Sequence, residues 1–246
     1  EETLYSYSFP AEGGEQTTTT FPDGGTSVRV TYADGRTKEV SGTAVAPMRY
    51  EYGTWSDATD HGEWTKTIRV GDGGSETEWT KTYTDIAGRA VRTEYADGSE
   101  ETMDYNNKGQ LVKQVDANGV TTLFAYDDRG RRTMQALDLN ANGQIDDTTD
   151  RITETLYDVV TNSDGVVVDR TTTRVYAGDN SDVPTVVSIS ETGGYGDRQW
   201  QVDIHQNETT SELVRGLPGE WTTTSTAADG TQQKQIYTQG RLSSEE

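Results

Sequence analysis

The chain has 246 residues, 42 acidic against 21 basic side chains for a formal charge of -21, no cysteine and 30% hydrophobic residues. Scarce aliphatic residues under so much like charge point toward disorder, but five Trp and thirteen Tyr in alternating contexts argue for a folded chain with a thin, aromatic-rich core. The charge disfavours nucleic acid and anionic membrane surfaces as partners, the lack of Cys excludes disulfides and thiolate chemistry, and no apolar stretch reaches the roughly 20 residues a membrane-spanning helix needs.

In chain order, residues 1–60 read as an irregular β segment with an Ala33-Asp34-Gly35 turn. Residues 61–160 are regular. Glu63-Trp64-Thr65-Lys66-Thr67 returns as Glu78-Trp79-Thr80-Lys81-Thr82 across a Gly-rich turn at 71–74, which places Trp64 and Trp79 at nearby positions of one hairpin. Then Tyr83-Thr84-Asp85-Ile86-Ala87-Gly88-Arg89, Tyr105-Asn106-Asn107-Lys108-Gly109-Gln110-Leu111 and Tyr126-Asp127-Asp128-Arg129-Gly130-Arg131-Arg132 follow one another, their glycines 21 residues apart. Turns of a second kind lie between them, Ala96-Asp97-Gly98 and Asp116-Ala117-Asn118-Gly119. Asp-Gly and Asn-Gly supply the positive backbone angles of tight hairpins, and the runs between alternate in period two with Thr, Val and Tyr, as strands do. Residues 161–246 return to hairpins with longer loops, carry Glu220-Trp221-Thr222-Thr223-Thr224, and close on a shorter copy, Tyr237-Thr238-Gln239-Gly240-Arg241-Leu242. The three divisions are soft. No window shows apolar spacing of 3.6 residues, so the expectation is an all-β chain of stacked hairpins with minimal helix. The chain starts and stops in mid-pattern, as a segment of a longer protein does.

The pattern of Tyr, an acidic or polar pair, Gly, Arg or Gln, then Leu or Val resembles the YD repeat of the Rhs family, with Tyr126 to Arg132 as the closest match after Asp116-Ala117-Asn118-Gly119. The copies at 83–89, 105–111 and 237–242 carry Thr or Asn at the second position. The resemblance covers residues 83–137 and the last ten residues. It implies a curved or spiralling antiparallel sheet, which in larger members forms a shell enclosing a toxic or variable carboxy-terminal domain, and a bacterial protein of the exterior or cell surface. It also implies carbohydrate binding and cell-surface contact, and a chain of this length would be a wall section.

The strongest ligand signal runs from Asp138 to Asp150. Oxygen-bearing side chains at Asp138, Asn140 and Asn142, Gly143 for the sharp turn, Gln144 at a carbonyl-donor position and Asp146 reproduce the start of an EF-hand calcium loop. Thr149 stands where a bidentate Glu is expected, with Asp147 and Asp150 beside it as substitutes. The loop is an insertion of about ten residues, because Tyr126 and Tyr157 lie 31 apart against the usual 21, and the expectation is a structural Ca²⁺.

Trp64, Trp79 and Trp221 are the candidates for stacking on glycans. No catalytic residue can be nominated. Two histidines, His61 and His205, stand far apart, and 42 acidic residues supply too many carboxylate pairs to choose one. A secreted polysaccharide lyase or hydrolase, with Tyr195, Arg198, Trp200 and His205 as its nearest cluster, is therefore the enzymatic alternative. Assembly through exposed strand edges into a fibre or shell, with copies of itself or neighbouring repeats as partners, is the other.

Overall fold

The computed structural model describes residues 2–11, 13–58, 60–193 and 195–245. It is all-β, with twenty strands and a single turn of 3-10 helix at Asp72–Gly74 among the described residues. Two compact units divide it, residues 1–120 and 121–246. The earlier soft divisions near 60 and 160 fall inside a hairpin and inside a strand.

The first unit is formed by β1 Leu4–Ser8, β2 Gln16–Thr20, β3 Thr26–Thr31, β4 Thr37–Ser41, β5 Met48–Ser56, β6 His61–Arg69, β7 Glu78–Asp85, β8 Ala90–Tyr95, β9 Glu100–Tyr105 and β10 Leu111–Val115. Each strand pairs antiparallel with its neighbour in sequence. The second unit repeats the scheme through β11 Thr121–Tyr126, β12 Arg132–Leu137, β13 Arg151–Thr161, β14 Val167–Tyr176, β15 Thr185–Gly193, β16 Arg198–Asp203, β17 Glu208–Arg215, β18 Glu220–Thr226, β19 Gln232–Thr238 and β20 Arg241–Glu245.

The hairpin turns have two chemistries. Both share one backbone closure, and in the first the side chain of the leading Asp or Asn also accepts loop N–H groups. The N–H of Asp85 donates to the carbonyl of Arg89, and the N–H of Gly88 donates back to Asp85. Asn106 and Gly109, Asp127 and Gly130, and Asn162 and Gly165 repeat the arrangement. Gly88, Gly109 and Gly130 have φ of 77°, 79° and 83°, a left-handed conformation that side chains resist, so the evenly spaced glycines occupy equivalent places. In the second kind the acid precedes the glycine, and the Asp34, Asp97 and Asp229 carboxylates accept the N–H two residues on.

Burial is thin, as the composition requires. Most strand side chains are half-buried, and the fully covered apolar ones in the second unit fall on one face. There Leu123, Ala136, Ile152 and Tyr176 stand directly opposite one another across β11 to β14, a single buried row. In the first unit Ile68 and Tyr83 are the covered apolar side chains among the described residues.

Candidate functional site

The Asp138–Asp150 loop is built around two carboxylates. Asp150 is fully buried; its Oδ1 accepts the N–H of Leu139 at 3.1 Å and its Oδ2 accepts the N–H of Asp146 at 3.0 Å. Asp138 accepts the N–H groups of Asn142 and Gly143. Asn140 and Asn142 both donate their side-chain amides to Asp146 Oδ2, at 3.1 and 2.6 Å, so Asp138, Asn140, Asn142 and Asp146 are drawn together in one turn. Gln144 donates its N–H to Asn142, and Asp147 is exposed. Among the described residues no three His, Asp or Glu side chains converge in a metal-holding group. Packing gives the insertion a role the spacing did not reveal: Ile145 lies against the row of Leu123, Ala136, Ile152 and Tyr176, so the loop folds back as a cover for the second unit's core.

Trp64 and Trp79 share one hairpin, as expected, and one face of it, but stand four residues out of register. Trp64 pairs with Tyr83 and Trp79 with Ile68, about 13 Å apart along the strands. Between them Lys66 and Lys81 stand opposite each other. The Lys81 ammonium lies 4.3 Å from the Trp64 ring centre and the Lys66 ammonium 4.5 Å from that of Trp79, a reciprocal diagonal exchange encoded by the repeated Trp-Thr-Lys string. Glu51 and Glu94 flank the two lysines across the sheet, which offsets the like charges. Trp64 also leans over Gly53, where a Cβ would come within 2.5 Å of the indole. Trp221 is stacked on Tyr237, 5.3 Å between centres and 10° from coplanar. All three indoles already carry a neighbour.

The recurring element with the most contacts is a brace that the sequence reading overlooked. Asp85 Oδ1 accepts the N–H groups of Ala87 and Arg89, and its Oδ2 accepts Arg89 Nε at 2.7 Å. The Arg89 guanidinium lies 4.6 Å over the ring of Tyr105, whose hydroxyl donates to the carbonyl of Ala90 at 2.8 Å. Asp127, Arg131 and Tyr157 repeat every contact, with the guanidinium 4.0 Å from the ring and the hydroxyl 3.4 Å from the Arg132 carbonyl. Asp34, Arg36 and Tyr52 repeat the ion pair, the stacking and the hydroxyl bond from the other turn type, with the N–H of Arg36 on the carboxylate. The tyrosine follows its arginine by 16 residues in the first unit and by 26 in the second, and the acidic loop accounts for the extra ten. Burial pushes the Asp85 carboxyl up, but the N–H donors of Arg89 and Ala87 outweigh it and hold the group below its ordinary value. Burial raises the Tyr52 and Tyr105 phenols against the pull of their guanidiniums. This geometry also corrects the alignment of the copy at 83–89. Asp85, not Thr84, matches Asp127 and Asn106, so Tyr83 sits one position out of the repeat.

The enzymatic cluster does not converge. Trp200 is buried and donates Nε1 to Asp164, Arg198 pairs with Glu212, Tyr195 is almost wholly exposed, and His205 sits at the tip between β16 and β17. A cleft of 560 Å³ in the first unit, unforeseen from the sequence, is lined by Trp55, Tyr83, Arg89, Arg92, Asp104 and Tyr105 among others. Arg89 is already committed to Asp85 and Tyr105, and the Arg92 guanidinium lies 4.0 Å over Tyr83.

Residues 105–145, which span the Asn106 and Asp127 turns, match the family model described as RHS Repeat. This stretch is similar to that repeat. The match takes in both turns and ends within the acidic loop. Among solved structures, that of TcdB2-TccC3-Cdc42 is 12% identical, with 95% of this chain and 14% of that chain covered and a TM-score of 0.39. TcdB2-TccC3 is 10% identical over 98% of this chain and 17% of that one, also at 0.39, and TcdB2-TccC3-TEV is 12% identical over 94% and 19%, at 0.26. The chain therefore spans under a fifth of the length of these chains. No curated protein matches it.

Proposed function

We propose that this chain is a wall section of an Rhs-type shell, at the cell surface or outside the cell, whose role is to enclose a domain carried by the same protein. The observation that carries this reading is the brace. It ties three turns to a strand beyond the adjoining one, so the sheet is stiffened at intervals along its length. A binding protein or enzyme concentrates its unusual contacts at one place, whereas here they repeat along the chain.

The test exploits the absence of cysteine. Single cysteines replace Glu63 and Asp104, two exposed positions on opposite faces of the first unit, in the full-length protein. A large polymeric maleimide is expected to label one of them in the native state and both after unfolding. Equal labelling of both faces in the native protein overturns the proposal.

A second reading, calcium at the acidic loop, is favoured by the clustering of Asp138, Asn140, Asn142 and Asp146. Their six side-chain oxygens suit a hard cation that takes 6–8 oxygen ligands. Titration with CaCl₂ is expected to raise the melting temperature of the wild type and leave Asp138→Ala unmoved; a wild-type melting curve insensitive to calcium removes the ion.

A further inference from the structure

We infer that Asn142-Gly143 is a self-modification site, where the Asn142 amide is hydrolysed through a cyclic imide with Asp138 as the base. The chain has two Asn-Gly pairs, Asn118-Gly119 and Asn142-Gly143. Glycine has no Cβ to obstruct its own backbone nitrogen, so this nitrogen can reach the carbonyl carbon of the preceding asparagine side chain. The two pairs differ in what holds that nitrogen. The N–H of Gly119 donates to the backbone carbonyl of Asp116 at 2.8 Å, a group too weakly basic to take the proton. The N–H of Gly143 donates to Oδ2 of Asp138 at 2.9 Å, within the reach of a general base. Gln144 donates its N–H to Asn142 Oδ1 at 2.7 Å, the oxygen on which negative charge develops. The Asn142 side-chain nitrogen donates to Asp146 Oδ2 at 2.6 Å, which fixes the orientation of the amide. Nucleophile, base, oxyanion donor and orienting group thus meet on one amide. Asn142 and Gly143 are exposed, and a Cβ on Gly143 would meet nothing within 4 Å, so water reaches the site.

The reaction balances with water alone. Asp138 takes the proton from Gly143 as the Gly143 nitrogen bonds to Asn142 Cγ. The Cγ–Nδ2 bond then breaks, and the side-chain nitrogen leaves as ammonia with the proton that Asp138 had taken. Water opens the resulting imide at either carbonyl, which leaves aspartate or isoaspartate at position 142. The product replaces an amide that donates to Asp146 with a carboxylate that repels it. Isoaspartate also adds a methylene to the backbone of the loop whose Ile145 covers the second unit's apolar row, so the modification loosens that cover. Every participating group lies within residues 138–146, so the constellation is complete whatever adjoins the chain in a longer protein. The wall reading has no part in it, and chelation separates it from the reading of the loop as a calcium site.

The test incubates native chain and chain unfolded in guanidinium chloride side by side, with EDTA in ¹⁸O-labelled water, and follows the peptides carrying residues 118 and 142 by mass spectrometry. Asn142 is expected to convert at least about tenfold faster in the native chain than in the unfolded one, the low end of what a placed base contributes, with one ¹⁸O in each product. Asn118 is expected to convert no faster when folded. Asp138→Asn keeps an oxygen on the Gly143 N–H but cannot take its proton, and is expected to abolish the native acceleration at Asn142 while Asn118 behaves as in wild type. Slow hydrogen exchange at the Leu139 and Asp146 N–H groups, which Asp150 holds, certifies that the variant loop is folded. Native conversion of Asn142 no faster than unfolded, equal acceleration at Asn118, or acceleration that survives in Asp138→Asn overturns the inference.

Discussion

Asp85 concentrates the chemistry of the repeat in one side chain. Both of its oxygens are occupied, by two backbone N–H groups and the Arg89 guanidinium, and its residue is 5% exposed. Asp85→Asn keeps the shape but turns amide hydrogens toward Arg89, so a loss of about 1–3 kcal/mol is expected in urea unfolding. The pH dependence has a definite sign. A carboxyl held below its ordinary value of 3.8 in the folded state stabilises the fold fully above that value, and the stabilisation fades as pH falls through the lower folded value. The carboxyls of Asp34 and Asp127 shift the same way, the first chiefly through its side-chain bond to Arg36, the second despite the opposing effect of burial. Thermal melts from pH 6 to pH 2 are thus expected to show stability falling from about pH 4 downward, with a shallower fall in Asp85→Asn. A slope identical in wild type and variant would remove Asp85 from this account.

Two elements owe their place to close packing. Ile145 reaches back from the acidic loop onto the row of Leu123, Ala136, Ile152 and Tyr176. Truncation to Ala uncovers that row at a half-buried site, and a loss of about 1–2 kcal/mol is expected, below the cost at a fully buried isoleucine. Calcium-free buffer should not alter this loss, because the contact is apolar. Gly62 holds β6 close to β7: a Cβ there would lie 1.8 Å from the carbonyl oxygen of Thr84, which is backbone and cannot move without breaking the pairing. Gly62→Ala is therefore expected to lower the melting temperature well beyond Ile145→Ala. Neither residue stands out in the chain. Gly62 belongs to none of the Asp-Gly or Asn-Gly turns, and Ile145 sits inside a polar loop where the oxygen-bearing residues draw attention first.

At the scale of the whole molecule, net charge sets the balance. With -21 on 246 residues, like charges repel across both units, and that repulsion is screened over about 10 Å at 0.1 M salt. Raising NaCl from about 20 mM to about 500 mM is expected to raise the melting temperature, since general acid repulsion outweighs the exposed ion pairs that salt also weakens. A melting temperature that falls with salt would mean that exposed pairs such as Arg69 with Glu78 and Arg198 with Glu212 dominate instead.

The all-β class, the hairpin turns and the ten-residue insertion are determined by local sequence. Period-two alternation and glycine at positive φ act within four or five residues, so they can be read without knowing what packs where. The partners of each strand follow almost as directly, because successive strands pair with their neighbours. Tertiary structure alone decided that Arg89 and Arg131 reach tyrosines 16 and 26 residues away, that Trp64 and Trp79 each take the lysine of the other's strand, and that the acidic loop lies over an apolar row. Those contacts run between strands, where register fixes which side chains meet, and register belongs to the assembled sheet.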